Sequence, residues 1–321
     1  MNAGRLVARR SAQLVPVLVG VSFLTFLLLN LLPGNVAVAI LGNNATPQSV
    51  ALLRHQLHLD QPLLVRYWHW AWAALHGNLG NSLMTHQSVV STIWQRVPVS
   101  LEVLVLALII ALVLAVPVGT VATRYRDRIP DRLLGMWSFC GLSIPPFLLA
   151  LVLILIFAVK LHWLPATGFS HLSDGVVPSL KTAILPAATL AFGAFAVYAR
   201  LLRSEMVREM DSEDYVTTAR AKGASERRIL LRHVLRNSSF GLITAVGVDL
   251  GRLLGGAVVV ETVFALPGVG QLLISSIYQR DVTVVQGVVL LIAVVVVAAN
   301  LAVDLLYSVL DPRIRHGALV G

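Results

Sequence analysis

The residues able to do chemistry in this 321-residue chain are few, and most stand where water is scarce. Asp249 and Arg252 lie three apart in an apolar block, a spacing that lets them face each other on one helix. Glu261 follows them, and Asn300 and Asp304 stand one turn apart in the last apolar run. Charges at membrane depth are costly, so such residues either neutralise each other, find water in a cavity, or form a proton or ion relay. For Asp249 and Arg252 both the pair and the watered cavity stay open. No Gly-x-x-x-x-Gly-Lys-[Ser/Thr] loop is present to cradle nucleotide phosphates, and no His-Glu-x-x-His to bind a hydrolytic zinc. His55, His58, His69 and His76 have no tight ligand spacing, and the scattered serines and histidines define no triad. The expectation is a chain that is not an enzyme and has no metal site and no cofactor of its own. Its energy must then come from a partner or an ion gradient.

Composition says where these residues sit. The chain is 57% hydrophobic and 13% charged, with a mean hydropathy of +0.79, which excludes an ordinary soluble domain. The net charge of +9 is almost all arginine, with lysine only at 160, 181 and 222. Arginines holding loops at the cytoplasmic face explain it better than nucleic acid does. Cys140 is the sole cysteine, so an internal disulfide is excluded; a small packed residue in an apolar span is expected there.

Six apolar runs are long enough to cross a bilayer: 14–32, 101–121, 133–159, 181–202, about 240–260, and 288–310. The first follows Arg5, Arg9 and Arg10; it is long for a signal core and is followed by Pro33-Gly34-Asn35 rather than a cleavage site. Residues 33–99 form an external region whose Tyr67, Trp68, Trp70 and Trp72 suit the membrane interface. The second run is entered past Pro98. The third is interrupted by Pro145-Pro146, a kink that either lines a pathway or serves packing. In the fifth, Gly247, Gly251 and Gly255 leave a smooth stripe for a neighbouring helix. Eighteen of the 25 arginines and lysines then fall in the segments on one side and six on the other, which favours six helices with both termini inside.

The polar stretch Tyr215–Ser239, between the fourth and fifth runs, cannot lie in hydrocarbon. It begins with helix formers from Thr217 to Lys222 and breaks at Gly223. Ser225 is then placed to cap a second, arginine-rich amphipathic helix, with Asp211 to Asp214 beginning or capping the first. Helix–glycine–helix is the form of a rigid charged knob that docks into a partner; a basic loop held inside by its charge is the plainer reading.

T-A-R-A-K-G at Thr218–Gly223, then S-E-R-R and L-R-H-V-L-R-N, resemble the coupling loop of ATP-binding-cassette importer permeases of the dipeptide/oligopeptide/nickel family, B-type. Four further blocks resemble that family: the R-R…L-L-P-G-N start, D-Q-P…R-Y…H-G-N-L-G-x-S, E-T-V-F-A-L-P-G-V-G through Gly287, and the terminal L-D-P-R-I-R. Two departures stand out: Thr217-Thr218-Ala219 replaces Glu-Ala-Ala, and Gly241 stands for a proline after the second helix. The resemblance implies an all-α membrane protein of the type I importer fold, in the bacterial inner membrane, with six spans and cytoplasmic termini. It implies one permease domain: tail and first span to 32, interfacial region 33–99, core 100–310 with the coupling loop at 203–239, and tail 311–321. It implies Tyr215, Thr218, Ala219, Ala221, Lys222, Gly223, Ser225 and Glu226 as the contact with an ATPase groove. Pro145, Pro146, Asp249, Arg252, Glu261, Asn300 and Asp304 are the candidate pathway residues. Implied partners are a homologous second permease, two ATPase subunits or domains that bind ATP and magnesium, an external substrate-binding protein, and the lipid bilayer. Peptides are the expected cargo; nickel chelates or another small ligand, or ion-coupled secondary transport, are the alternatives.

Overall fold

A computed structural model describes residues 3–31, 46–56, 60–212 and 214–310. Among these every regular element is a helix. In chain order they are α1 (Ala3–Leu31), α2 (Pro47–Gln56), α3 (Leu63–Leu75), α4 (Val89–Arg124), α5 (Ile129–Ser143) and α6 (Pro146–Lys160). There follow α7 (Val176–Ser212), α8 (Asp214–Ala221), α9 (Glu226–Val263), α10 (Val269–Tyr278) and α11 (Val282–Leu310). Among the described residues α4, α7, α9 and α11 are long and apolar enough to cross a membrane, and α5 with α6 adds a fifth if the pair is one span. Within α1 the apolar stretch Val15–Leu29 is shorter.

The chain forms two compact units, Met1–Pro98 with Gly268–Ala298, and Val99–Pro267 with Ala299–Gly321. The second unit is built on small residues. Ala107, Ala111, Ala115 and Ala122 of α4 are wholly buried, as are Ala183, Ala187 and Ala199 of α7. A β-carbon on Gly119 would stand 2.9 Å from the Ala199 carbonyl, and one on Gly141 of α5 would stand 2.5 Å from the Ala196 β-carbon. Without a hydrophobic drive between helices in lipid, such close backbone approach is what holds them. Tyr198, Leu202 and Met206 complete the interior. In the first unit Val89, Ile93, Val269, Val284 and Val288 form the core, and Gly287 lies where a β-carbon would meet Val89 at 2.6 Å.

Several boundaries differ from the sequence expectation, each for a local reason. Helix α4 begins at Val89 and runs through Pro98, because Val89 and Ile93 are buried and that packing outweighs one missing donor. Helix α7 continues to Ser212, so the acidic stretch ends a helix as well as beginning the next; Arg126 offsets Asp211 at that unfavourable end, 2.6 Å away. The expected kink at Pro145-Pro146 is a break of 104°, with Pro145 extended and Pro146 opening α6. Helix α11 starts at Val282 because the Asp281 side chain accepts from the Val284 amide. Cys140 is exposed on α5, beside exposed Met136, Trp137 and Phe139, and not packed as expected. The glycine stripe is used at one end only: a β-carbon on Gly247 would overlap Val303, whereas one on Gly255 would meet nothing.

Candidate functional site

The stretch after α7 folds as two short helices around one glycine. Gly223 stands at φ 77°, left-handed backbone that favours glycine, and the amides of Gly223 and Ala224 return to the carbonyls of Arg220 and Ala219. This double closure ends α8 sharply. Ser225 takes the extended backbone of a capping residue at the head of α9, but its hydroxyl makes no capping bond. Instead Arg220 and Glu226 clamp the two helices, Nε donating at 2.8 Å and Nη2 at 3.4 Å. The Glu226 hydrogen bond raises the Arg220 guanidinium above its ordinary value.

The apolar side of the stretch is anchored. Val216, Ile229, Leu230 and Val234 are buried in the second unit's core, and the Tyr215 hydroxyl donates to Glu209 at 2.5 Å. The opposite side is open. Thr218, Ala221, Lys222, Gly223, Ser225, Glu226, Arg227 and Arg228 are all exposed, while Tyr215 and Ala219 are partly covered. A cleft of about 420 Å³ lies between Ser225, Arg227, Arg228, Leu231 and Arg232. The result is a fixed knob of small and basic residues, suited to contact and not to bond-making.

Gly241, in place of the expected proline, has a consequence for the second helix. It does not end: from Glu226 it passes through a wide π turn at Leu230–Val234 and continues to Val263 as one element, α9. The knob and the membrane-length helix are therefore a single rod.

Among the described residues the polar side chains of the apolar runs do not gather into one site. Asp249 and Arg252 pair at 2.6 Å, with Asp249 14% exposed and Arg252 50%. Tyr198 of α7 donates to the same carboxylate at 3.0 Å, a partner the sequence reading missed because it lies 51 residues away. Glu261 is buried, 1% exposed, and accepts from Ser100 at 2.6 Å within its unit. Pro145 and Pro146 are exposed, as is Asn300. The Asp304 and His58 side chains lie outside the described residues. Among the described residues no three His, Cys, Asp or Glu side chains stand together as metal ligands.

A further polar contact was not anticipated. Asp281, buried, accepts from the buried Ser82 hydroxyl at 2.5 Å and from the Leu83 amide at 3.2 Å. It joins the H-G-N-L-G-x-S block to the block ending at Gly287.

Comparison with known proteins agrees with this architecture. Residues 115–316 match the model of the family described as binding-protein-dependent transport system inner membrane component. Residues 4–104 match the model of the N-terminal part of such membrane components. A protein of Salmonella typhimurium named as a glutathione transport system permease is 41% identical over 97% of this chain and 98% of its own length. Proteins named as peptide transport permeases are 40% identical in Brucella abortus (97% of this chain, 99% of the relative) and 39% in Sinorhizobium fredii (98% and 100%). The chain belongs to the inner membrane component family of binding-protein-dependent transport systems. It is a multi-pass inner-membrane permease, a non-catalytic subunit, and ATP hydrolysis is the work of separate subunits.

Proposed function

We propose that this chain forms half of an ATP-driven pathway importing di- or oligopeptides delivered by an external binding protein. The observation that carries the reading is the knob of Tyr215–Glu226 fused to α9. Movement of an ATPase subunit gripping the knob is delivered along one rod to the level of Asp249 and Arg252. The peptide cargo is supported by relatives named for peptide and glutathione transport along nearly the whole chain.

In this reading α1, α4, the broken pair α5–α6, α7, α9 and α11 are six spans, with the knob, the 124–132 turn and both termini cytoplasmic. The arginine distribution supports that orientation. A single exposed half cannot enclose a peptide-sized path, so a homologous second permease and two ATPase subunits complete the complex. Reconstitution tests the reading. Vesicles holding the permease pair and ATPases should take up labelled di- and tripeptides only with ATP inside the ATPase compartment and binding protein opposite. Uptake driven by a proton or sodium gradient without the ATPases would make this a secondary carrier instead.

A further inference from the structure

At the head of α5 the second unit presents a basic cleft that runs into an apolar groove. Arg203 donates to both Asp131 oxygens, Nε at 2.9 Å and Nη2 at 2.6 Å, and the Asp127 amide donates to Asp131 at 3.0 Å, so that carboxylate is used up. Asp127 lies 3.8 Å from Arg126, which also binds Asp211. Arg132 and Arg200 line the same cleft, of about 360 Å³, with no ion pair among the described residues. They carry its uncompensated charge.

Leu134 borders this cleft and also a groove of about 710 Å³. Every residue lining the groove is apolar, among them Pro130, Leu133, Trp137, Ala188 and Phe192. One site thus offers two unpaired guanidinium groups beside an apolar channel between α4, α5, α6 and α7. A lipid acyl chain is thin enough to enter the groove, and the phosphate of an anionic headgroup matches the arginines.

We infer that this is a seat for an anionic phospholipid of the cytoplasmic leaflet, with the phosphate between Arg132 and Arg200 and one chain in the groove. The leaflet assignment rests on the orientation proposed above. Anionic headgroups are attracted to basic clefts between spanning helices on that side. The site lies at the base of α7, the helix leading into the coupling knob.

Trp137 reports on the groove, its ring edge-on to Phe192 at 5.8 Å. The full chain, purified with the subunits it assembles with, is placed in vesicles containing dibrominated phosphatidylglycerol or dibrominated phosphatidylcholine. The Trp137→Phe variant supplies the background to subtract. Phosphatidylglycerol should quench Trp137 at about a tenfold lower mole fraction than phosphatidylcholine. The double change Arg132→Gln with Arg200→Gln should abolish that preference and leave the phosphatidylcholine curve in place. Ala188→Leu, which fills the groove without touching the arginines, should lower quenching by both lipids. Equal quenching by the two lipids, a preference surviving the double change, or no quenching at Trp137 because protein fills the groove would each overturn the seat. Orientation is judged separately: external labelling of Ser225→Cys overturns the leaflet assignment while the lipid preference stands or falls on its own data.

Discussion

The Ser82 hydroxyl donates to the Asp281 carboxylate across 199 residues of chain, both side chains being 3% exposed. With the Leu83 amide on the other oxygen, Asp281 holds a loop of the first unit to the start of α11. Asp281→Ala leaves three donors, the Ser82 hydroxyl and the Leu83 and Val284 amides, without their acceptor and should cost about 1–3 kcal/mol. Asp281→Asn keeps one acceptor and should cost less. Thermal unfolding of the purified chain in detergent checks both. Equal midpoints for Asp281→Ala and the parent would mean water replaces the carboxylate.

For Asp249 and Arg252, each single neutralisation strands its partner. Asp249→Asn or Arg252→Gln should lower stability by about 1–3 kcal/mol, less than a wholly buried pair because Arg252 is half exposed. The double change should cost less than the sum of the singles, and Tyr198→Phe should add its loss only where Asp249 is present. Strictly additive midpoints across the cycle would show each charge solvated on its own.

Gly223 tests the knob. A β-carbon there meets nothing within 4 Å, so Gly223→Val strains the turn by about 1–2 kcal/mol without clashing inside the chain. Gly223→Asn, tolerant of left-handed backbone, should be milder. Both should insert in membranes normally. Co-purification of the ATPase subunits should fall in the order parent, Asn, Val, and coupled transport with it. Arg228→Ala, altering one solvated charge, should change little. Full ATPase retention and transport in the Val variant would remove the coupling role.

Orientation is checked by single cysteines in a Cys140→Ser background, necessary because Cys140 is exposed. Asp60, Asp127, Asp174 and Ser225 are all exposed positions. In intact cells Asp60→Cys and Asp174→Cys should react with an impermeant reagent, and Asp127→Cys and Ser225→Cys should not. Reaction at 127 or 225 from outside would invert the arrangement.

The helices were legible because apolar runs and arginine-rich turns are local signals. The turn at Gly223 was legible for the same reason: a glycine between helix formers is a local conflict with one cheap resolution. The three-residue spacing allowed Asp249 and Arg252 to pair but left a watered cavity open as well, and the packed chain brings them to 2.6 Å. What escaped was set by distance in the chain. Tyr198 reaches Asp249, Ser82 reaches Asp281 and Ser100 reaches Glu261 only after the helices are packed. Cys140 misled because an apolar span in a membrane has faces turned away from its own chain, so hydropathy alone says nothing of packing. The missing capping bond at Ser225 has a visible substitute in the Arg220–Glu226 clamp, a pairing six residues apart that helical spacing would not suggest.

The π turn at Leu230–Val234 sets a phase. A wide turn absorbs one residue more than an α turn, which rotates everything beyond it by about 100° about the rod. The arginines of the knob and the Asp249–Arg252 pair are thus indexed to each other through that turn. Tightening it to an α turn would swing the pair around the axis while both ends kept their own contacts. A small change of winding beside the knob is in this way a torque on the Asp249–Arg252 segment of α9, with no need for the helix to tilt.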